Sequence, residues 1–215
     1  MEKAKTNESL RKANMQVFWG EIAPCDHVVQ IYEDDRVFLD LLDGFVSGGF
    51  KADDCVIVIA TAEHLNALED RLAKHGYNVF DLKLRDQYIP LDAEETLAKF
   101  MVNGWPDEAL FTYLITTLIT RARKMKRQVR AFGEMVALLW AQGHSGATVQ
   151  LEHLWNRICE TEGLCLFCAY PRSGFTQDAQ SSMMNICGTH SKMITDFGIS
   201  KTEIFLKSQE QKKAG

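Results

Sequence analysis

The residues best suited to chemistry in this sequence are carboxylates and hydroxyls that fall where apolar, strand-like runs end. HVVQIY closes on Tyr32 and runs into Glu33, Asp34 and Asp35; DCVIVIAT closes on Thr61, with Glu63 just beyond. RAFG is followed at once by Glu134, and LCLFCAYP ends with Tyr170 and Pro171 before Arg172. Ligands of an open α/β sheet bind outside the carboxyl ends of its strands. Tyr32, Glu33, Thr61, Glu63, Glu134, Tyr170 and Arg172 are therefore the candidate ligand-binding set. Glu134 stands where a nucleotide hydrolase carries its metal-binding or water-polarising acid; the other reading is a carboxylate held by neighbouring loops, or paired with Arg130 or Arg172. A triphosphate would need a glycine-rich cradle and a lysine after the first strand. This chain offers YEDDRVF instead, with three acidic side chains that repel a triphosphate. No catalytic residue is expected.

A second group of polar residues lies within apolar surroundings. Glu152 and Asn156 are one helical turn apart in LEHLWNRI, whose Leu151, Leu154, Trp155 and Ile158 repeat at three and four. They either line a pocket or tie the helix to a loop, and buried they would need partners. Cys165 and Cys168 have dithiol or zinc spacing, and Cys187 with His190 could complete four ligands. Positions three apart in a strand face opposite ways, however, so packing is the expected role and no metal is expected. The six histidines form no HExxH cluster. His190, on an apolar helical run, and His27, opening the first strand, are the two to follow, each expected as a hydrogen-bonded core histidine. Trp140, Trp155, Tyr170, Phe175, Met135, Met183 and Met184 crowd the C-terminal half; they read as core, and also as the wall of a small-molecule pocket.

The elements that must position these groups alternate in type. Strands are predicted at His27–Tyr32, Asp54–Thr61, Asn78–Leu84, Val129–Phe132 and Leu164–Tyr170, with an edge strand at Glu203–Leu206. Consecutive β-branched residues in Val56–Ile59 mark a strand buried on both faces. Helices lie between them: one capped by Asp34 or Asp35 and ended by Gly48 and Gly49, one capped by Thr61 and stopped by Gly76, then LDAEETLAKFM. A long helix enters through Trp105-Pro106-Asp107 and ends in the basic run Arg121–Arg127. A further helix is expected around Ser182–Ile194. The alternation implies an α/β fold, a three-layer α/β/α arrangement around a mostly parallel central sheet.

Composition bounds the rest. The chain has 215 residues, 46% of them hydrophobic and 25% charged, which suits one soluble domain. A net charge of −5 argues against a broad nucleic-acid surface. No run of 18 apolar residues and no apolar leader occurs, so a cytoplasmic location without membrane contact is expected. The six cysteines should then be reduced and mostly packed as small hydrophobes. Residues 1–20 read as an arm or helix, 21–206 as a single domain and 207–215 as a flexible tail.

Taken together, HVVQIY, DCVIVIAT, RAFGEMVALLW, LEHLWN and LCLFCAYP, in that order, resemble the MEDS domain over roughly residues 20–195. This is the sensory domain named for regulators of methanogens and methylotrophs. The resemblance implies a RecA/KaiC-like fold that has lost its ATPase loop. It also implies a cytosolic sensor of small organic molecules, such as hydrocarbon derivatives, joined to histidine kinases or transcription regulators. The flanks are too short to fold as output domains, so a signal is expected to pass to a second protein. The reading is a non-catalytic sensory module without a cofactor, binding a small organic ligand or a signalling protein at the strand carboxyl ends, with a homo-oligomer possible. Two alternatives stay open: a nucleotide-binding or nucleotide-hydrolysing KaiC-like enzyme, with Ser47–Gly49 or Gly143–Gly146 as phosphate cradle, and a structural adaptor docking a histidine kinase.

Overall fold

A computed structural model describes residues 18–20, 22–174, 179–195 and 198–201. The chain runs β1 (His27–Tyr32), α1 (Asp35–Lys51), β2 (Cys55–Ala60), α2 (Ala62–Lys74), α3 (Val79–Leu84), β3 (Tyr88–Asp92) and α4 (Ala93–Ala98). A small hairpin, β4 (Met101–Val102) and β5 (Trp105–Pro106), leads to α5 (Glu108–Ala122) and β6 (Val129–Gly133). Then follow α6 (Met135–Ala141), α7 (Ser145–Glu162), β7 (Cys165–Pro171), α8 (Ala179–Gly188), β8 (Lys192–Thr195) and β9 (Gly198–Lys201). The main sheet has the order β3-β2-β6-β7-β1-β8-β9. All neighbours pair in parallel except β9, which runs antiparallel to β8. The expected α/β class and mostly parallel sheet are therefore present.

Strand alternation divides the core into two layers. Val28, Val56, Val58, Phe132 and Phe167 face α1, α2 and α3, where Trp19, Phe38 and Phe45 join them. Val29, Ile57, Ile59, Ala131, Leu166 and Cys168 face the other way, against α4 to α8 with Phe111, Trp155 and Ile186. Every residue of β2 is buried, as its unbroken apolar run requires. The aromatic wall suggested by Trp140 and Trp155 belongs to this packing. Trp155 lies 3.6 Å from where a Cβ on Gly133 would stand, and the Trp140 indole donates to the Gly174 carbonyl at 2.8 Å. Met183 and Phe175 lie outside the residues whose side chains are described.

Several elements differ from expectation. Asn78–Leu84 is not a strand: Asn78 Oδ1 accepts from the Asp81 N–H, and α3 follows. Only Leu82 of that segment is buried, and Phe80 and Leu84 stay exposed. The spacing of Val79 and Leu82 is helical, and the third strand lies further on, with Tyr88 opposite Val56. Gly48 and Gly49 do not end α1, which continues to Lys51. A Cβ on Gly49 would stand 2.6 Å from Val56 Cγ2, so this glycine lets the helix lie against β2. Beyond α8 the chain forms no helix to Ile194. Lys192–Thr195 pairs in parallel with β1 instead, Val29 opposite Met193. The expected edge strand at Glu203–Leu206 falls outside the described residues.

The caps expected at Asp34 and Thr61 form, and Asp107 caps α5 where a helix entry was expected, each side chain accepting from the first turn of its helix. At the amino ends of β2 and β6, Arg130 Nε donates to Asp54 at 2.6 Å and Nη1 to the Trp19 carbonyl at 2.8 Å, all beneath α1. Among the described residues no helix is long and apolar enough to cross a membrane.

Candidate functional site

Adjacent strands whose following helices lie on opposite faces leave a crevice at their carboxyl ends. Two such pairs bear on the expected ligand set: β2 beside β6, and β7 beside β1.

Glu134 occupies the β2/β6 crevice. It follows β6 directly, its N–H donates to the Ile59 carbonyl at 2.9 Å, and it is buried. Its carboxylate reaches across to the start of α2. Oε2 accepts from the Thr61 N–H at 2.9 Å, and Oε1 lies 2.8 Å from His64 Nδ1. Burial pulls the His64 pKa down, but the hydrogen bond and charge of Glu134 outweigh it, aided by Asp35 and Glu63, so the net shift is upward. Phe38 meets His64 edge-on at 4.9 Å, and Tyr32 stacks on Phe38 at 4.7 Å. Burial raises the Tyr32 phenol, and the charges of Glu134 and Asp35 raise it further. The crevice thus has an aromatic wall and a pinned carboxylate–imidazole pair.

At the β7/β1 crevice, Glu33 and Arg172 form an ion pair. Both side chains are exposed, so the pair contributes little to stability and can open readily. Asp34 is turned to its own helix, accepting from Arg36 N at 2.7 Å.

The seven expected residues therefore separate. Tyr32, Thr61 and Glu134 meet in one crevice, and Glu33 and Arg172 bridge the other. Glu63 faces solvent in the first turn of α2. Tyr170 does not join them: it is fully buried, and its hydroxyl donates to Glu152 Oε1 beneath the sheet.

That contact opens onto a second cluster. Glu152 Oε2 lies 3.6 Å from His27 Nε2 and 3.6 Å from His190 Nε2, and 4.0 Å from Cys168 Sγ. His27 Nε2 is 3.5 Å from Cys168 Sγ, and the two imidazole centroids are 3.9 Å apart. All four residues are buried, Glu152 completely. Burial pushes the Glu152 carboxyl up to about 8, against the pull of the Tyr170 hydrogen bond. Burial takes His190 down to about 4, with the Ile186 carbonyl acting the other way. His27 falls well below its ordinary value through burial and then the neighbouring His190. The Cys168 thiol is raised by burial and by Glu152.

Strand parity explains part of this assembly. Leu166, Cys168 and Tyr170 share one face of β7, and His27 and Val29 the same face of β1, while Cys165 and Phe167 face the other core layer. The opposite facing of Cys165 and Cys168 is as expected, and it breaks up the four-ligand set of Cys165, Cys168, Cys187 and His190. Cys187 Sγ instead contacts Met193 Sδ at 3.4 Å. Asn156 turns to Glu160 Oε1 at 2.9 Å. What the sequence did not offer is the pairing of His27 with His190, 163 positions apart yet brought together when β8 docks on β1. His64 was also not singled out; its one local signal was its place in the turn that Thr61 caps.

Comparison with known proteins adds the following. The family model MEDS, "MEthanogen/methylotroph, DcmR Sensory domain", matches residues 26–191. Among solved structures, the chain is similar to the Pyrococcus horikoshii OT3 protein titled "Structural study of Project ID PH0250". The two share 11% identity and a TM-score of 0.54 over 87% of this chain and 90% of that one. It is also similar to the flagellar accessory protein FlaH from Methanocaldococcus jannaschii, at 13% identity and a TM-score of 0.46 over 81% and 72% of the two chains. No curated protein matches the chain.

Proposed function

Because the chain belongs to the MEDS family of sensory domains, we propose that it is a non-catalytic regulatory module that binds a small organic ligand in the β2/β6 crevice. The observation that carries this reading is the state of Glu134. In a hydrolase the acid after this strand must be open to water or a metal, whereas here both oxygens are engaged by Thr61 N–H and His64. An acid so bound is a latch between two strand ends. A ligand with an apolar body gains Tyr32 and Phe38, both buried in the latched form, as the latch opens, and a polar group on it competes for His64 or for the Thr61 N–H. Opening the latch frees the start of α2, and the exposed Glu33–Arg172 pair lets the neighbouring loop follow. A ligand shifts such an equilibrium only by binding the open form better, so the contacts it gains must exceed those of the latch. The output passes to a second signalling protein, a histidine kinase or transcription regulator.

Isothermal titration calorimetry against short-chain alcohols, carboxylic acids and ATP with magnesium tests the proposal. Saturable binding of one organic class, tightened in Glu134→Ala, where the competing latch is gone, and weakened in His64→Ala, supports it. Turnover of ATP by the wild type, or organic-ligand binding whose affinity Glu134→Ala leaves unchanged, overturns it.

A further inference from the structure

The buried cluster of His27, Glu152, Cys168 and His190 is separate from the crevice and independent of its function. Four elements contribute to it: the first residue of β1, the middle of α7, the middle of β7, and the turn between α8 and β8. One ligand-type atom from each lies within 4.8 Å of every other.

The imidazole–carboxylate separations are long for hydrogen bonds and suit something else. Imidazole–carboxylate distances of 3.6 Å, twice over, exceed the range in which a proton is shared well. A tetrahedral ion with metal–nitrogen, –oxygen and –sulfur bonds of about 2.0–2.3 Å sets its ligand atoms about 3.3–3.8 Å apart. Four of the six spacings are 3.5, 3.6, 3.6 and 4.0 Å and all six lie within 4.8 Å, so a small contraction of the side chains about an ion brings them into that range.

The protonation pattern agrees. His190 Nδ1 faces the Ile186 carbonyl at 2.7 Å, and a carbonyl only accepts, so Nδ1 carries a hydrogen. In the neutral ring Nε2 then presents a lone pair to Glu152, and it has no hydrogen-bond partner among the described residues. A backbone carbonyl orienting a ligating imidazole through its other nitrogen is the usual outer-shell arrangement at metal sites. Tyr170 plays the same part for the carboxylate: its hydroxyl holds Oε1 and leaves Oε2 toward the imidazoles.

Charge supplies the last constraint. Glu152 ionised would be a fully buried anion whose nearest ionisable neighbours are the two buried histidines His27 and His190, so in the empty site it must hold a proton that an ion would displace. A divalent ion held by one carboxylate, one thiolate and two neutral imidazoles gives a group of zero net charge.

We propose that His27, Glu152, Cys168 and His190 form a closed, four-coordinate site for one divalent transition-metal ion, zinc in the first instance. With four protein ligands and complete burial the site is structural, leaving no open position for substrate. It clamps β8 and the end of α8 onto the central strands β1 and β7.

Protein purified without metal-affinity chromatography, then dialysed, should retain about one zinc per chain by elemental mass spectrometry. Exchange with cobalt(II) should give the intense visible bands of tetrahedral cobalt and a near-ultraviolet thiolate-to-cobalt charge-transfer band. Cys25→Ser should keep that band and Cys168→Ser should lose it, with folding checked by circular dichroism. Tyr170→Phe, which leaves all four ligands in place, should weaken zinc binding by about 10–100-fold. If Cys168→Ser does not fold, Cys25→Ser and Tyr170→Phe decide together, since a thiolate band kept in the first with zinc binding weakened in the second places the metal at this cluster, and a band with zinc binding unchanged in Tyr170→Phe overturns the proposal. Less than a tenth of an equivalent of metal with no tetrahedral cobalt spectrum on reconstitution overturns the proposal. So does a charge-transfer band that survives Cys168→Ser.

Discussion

Replacing Glu134 and His64 by glutamine, singly and together, measures the latch directly. Oε1 of Glu134 and Nδ1 of His64 are 2.8 Å apart, with side-chain exposures of 7% and 15%. At an effective dielectric constant near 20, unit charges about 4 Å apart attract by about 4 kcal/mol, an upper bound that desolvation reduces. A charge-assisted hydrogen bond in such a setting contributes about 1.5–3 kcal/mol net, and a neutral one about 0.5–1.5 kcal/mol. Because the folded-state pKa of His64 lies above 6.5, its charged form is favoured by folding. The stabilisation is then complete below the unfolded value and is lost as pH rises through the folded one. A double-mutant cycle from urea unfolding should give a coupling of about 2 kcal/mol at pH 6, falling to about 1 kcal/mol or less at pH 9. Glu134→Ala should cost more than Glu134→Gln at either pH, because it also strips the Thr61 N–H of its acceptor. A coupling below about 0.5 kcal/mol at pH 6, or one of equal size at both pH values with unchanged m-values, would refute the charged latch.

Three further predictions concern the scaffold. Gly49→Ala should destabilise by about 1–3 kcal/mol in denaturant melts despite the gain in helix propensity, because its Cβ meets Val56 Cγ2 at 2.6 Å. Combined with Val56→Ala it should cost less than the sum of the two single changes, and simple additivity would count against the contact. Asp54→Asn should cost about 3–5 kcal/mol by leaving the Arg130 guanidinium buried without its counter-ion, and pairing it with Arg130→Met should recover part of the loss. In native protein a disulfide reagent should modify Cys25 quickly and the other five thiols slowly. Cys25 is exposed, while the rest are buried, with Cys55, Cys159 and Cys187 pushed up to about 12 chiefly by burial. Rapid reaction of two or more thiols without denaturant would contradict this.

The alternation of apolar runs with capped helices was enough, from the sequence, for the α/β class, the mostly parallel sheet, and the caps at Asp34 and Thr61. These are local matters: a β-branched run or a side chain one turn from an N–H carries its own signal. The run of acids after β1 was legible for the same reason. Sequence also singled out Glu134, His27, Glu152 and His190 one by one as polar groups in apolar company. Asn78–Leu84 reads as a strand in the sequence because Val79, Leu82 and Leu84 are too few apolar positions to separate a helical period from alternation, and Gly48-Gly49 reads as a helix end because close approach and helix termination use the same residue. Only the tertiary structure decided which polar group meets which. Strand order brought β8 beside β1 and so His190 beside His27; strand parity turned Cys168 and Tyr170 to one face and Cys165 to the other; the crossover through α7 carried Glu152 between them. Contacts between residues more than a hundred positions apart depend on the order of strands across the sheet, and no local periodicity encodes that order.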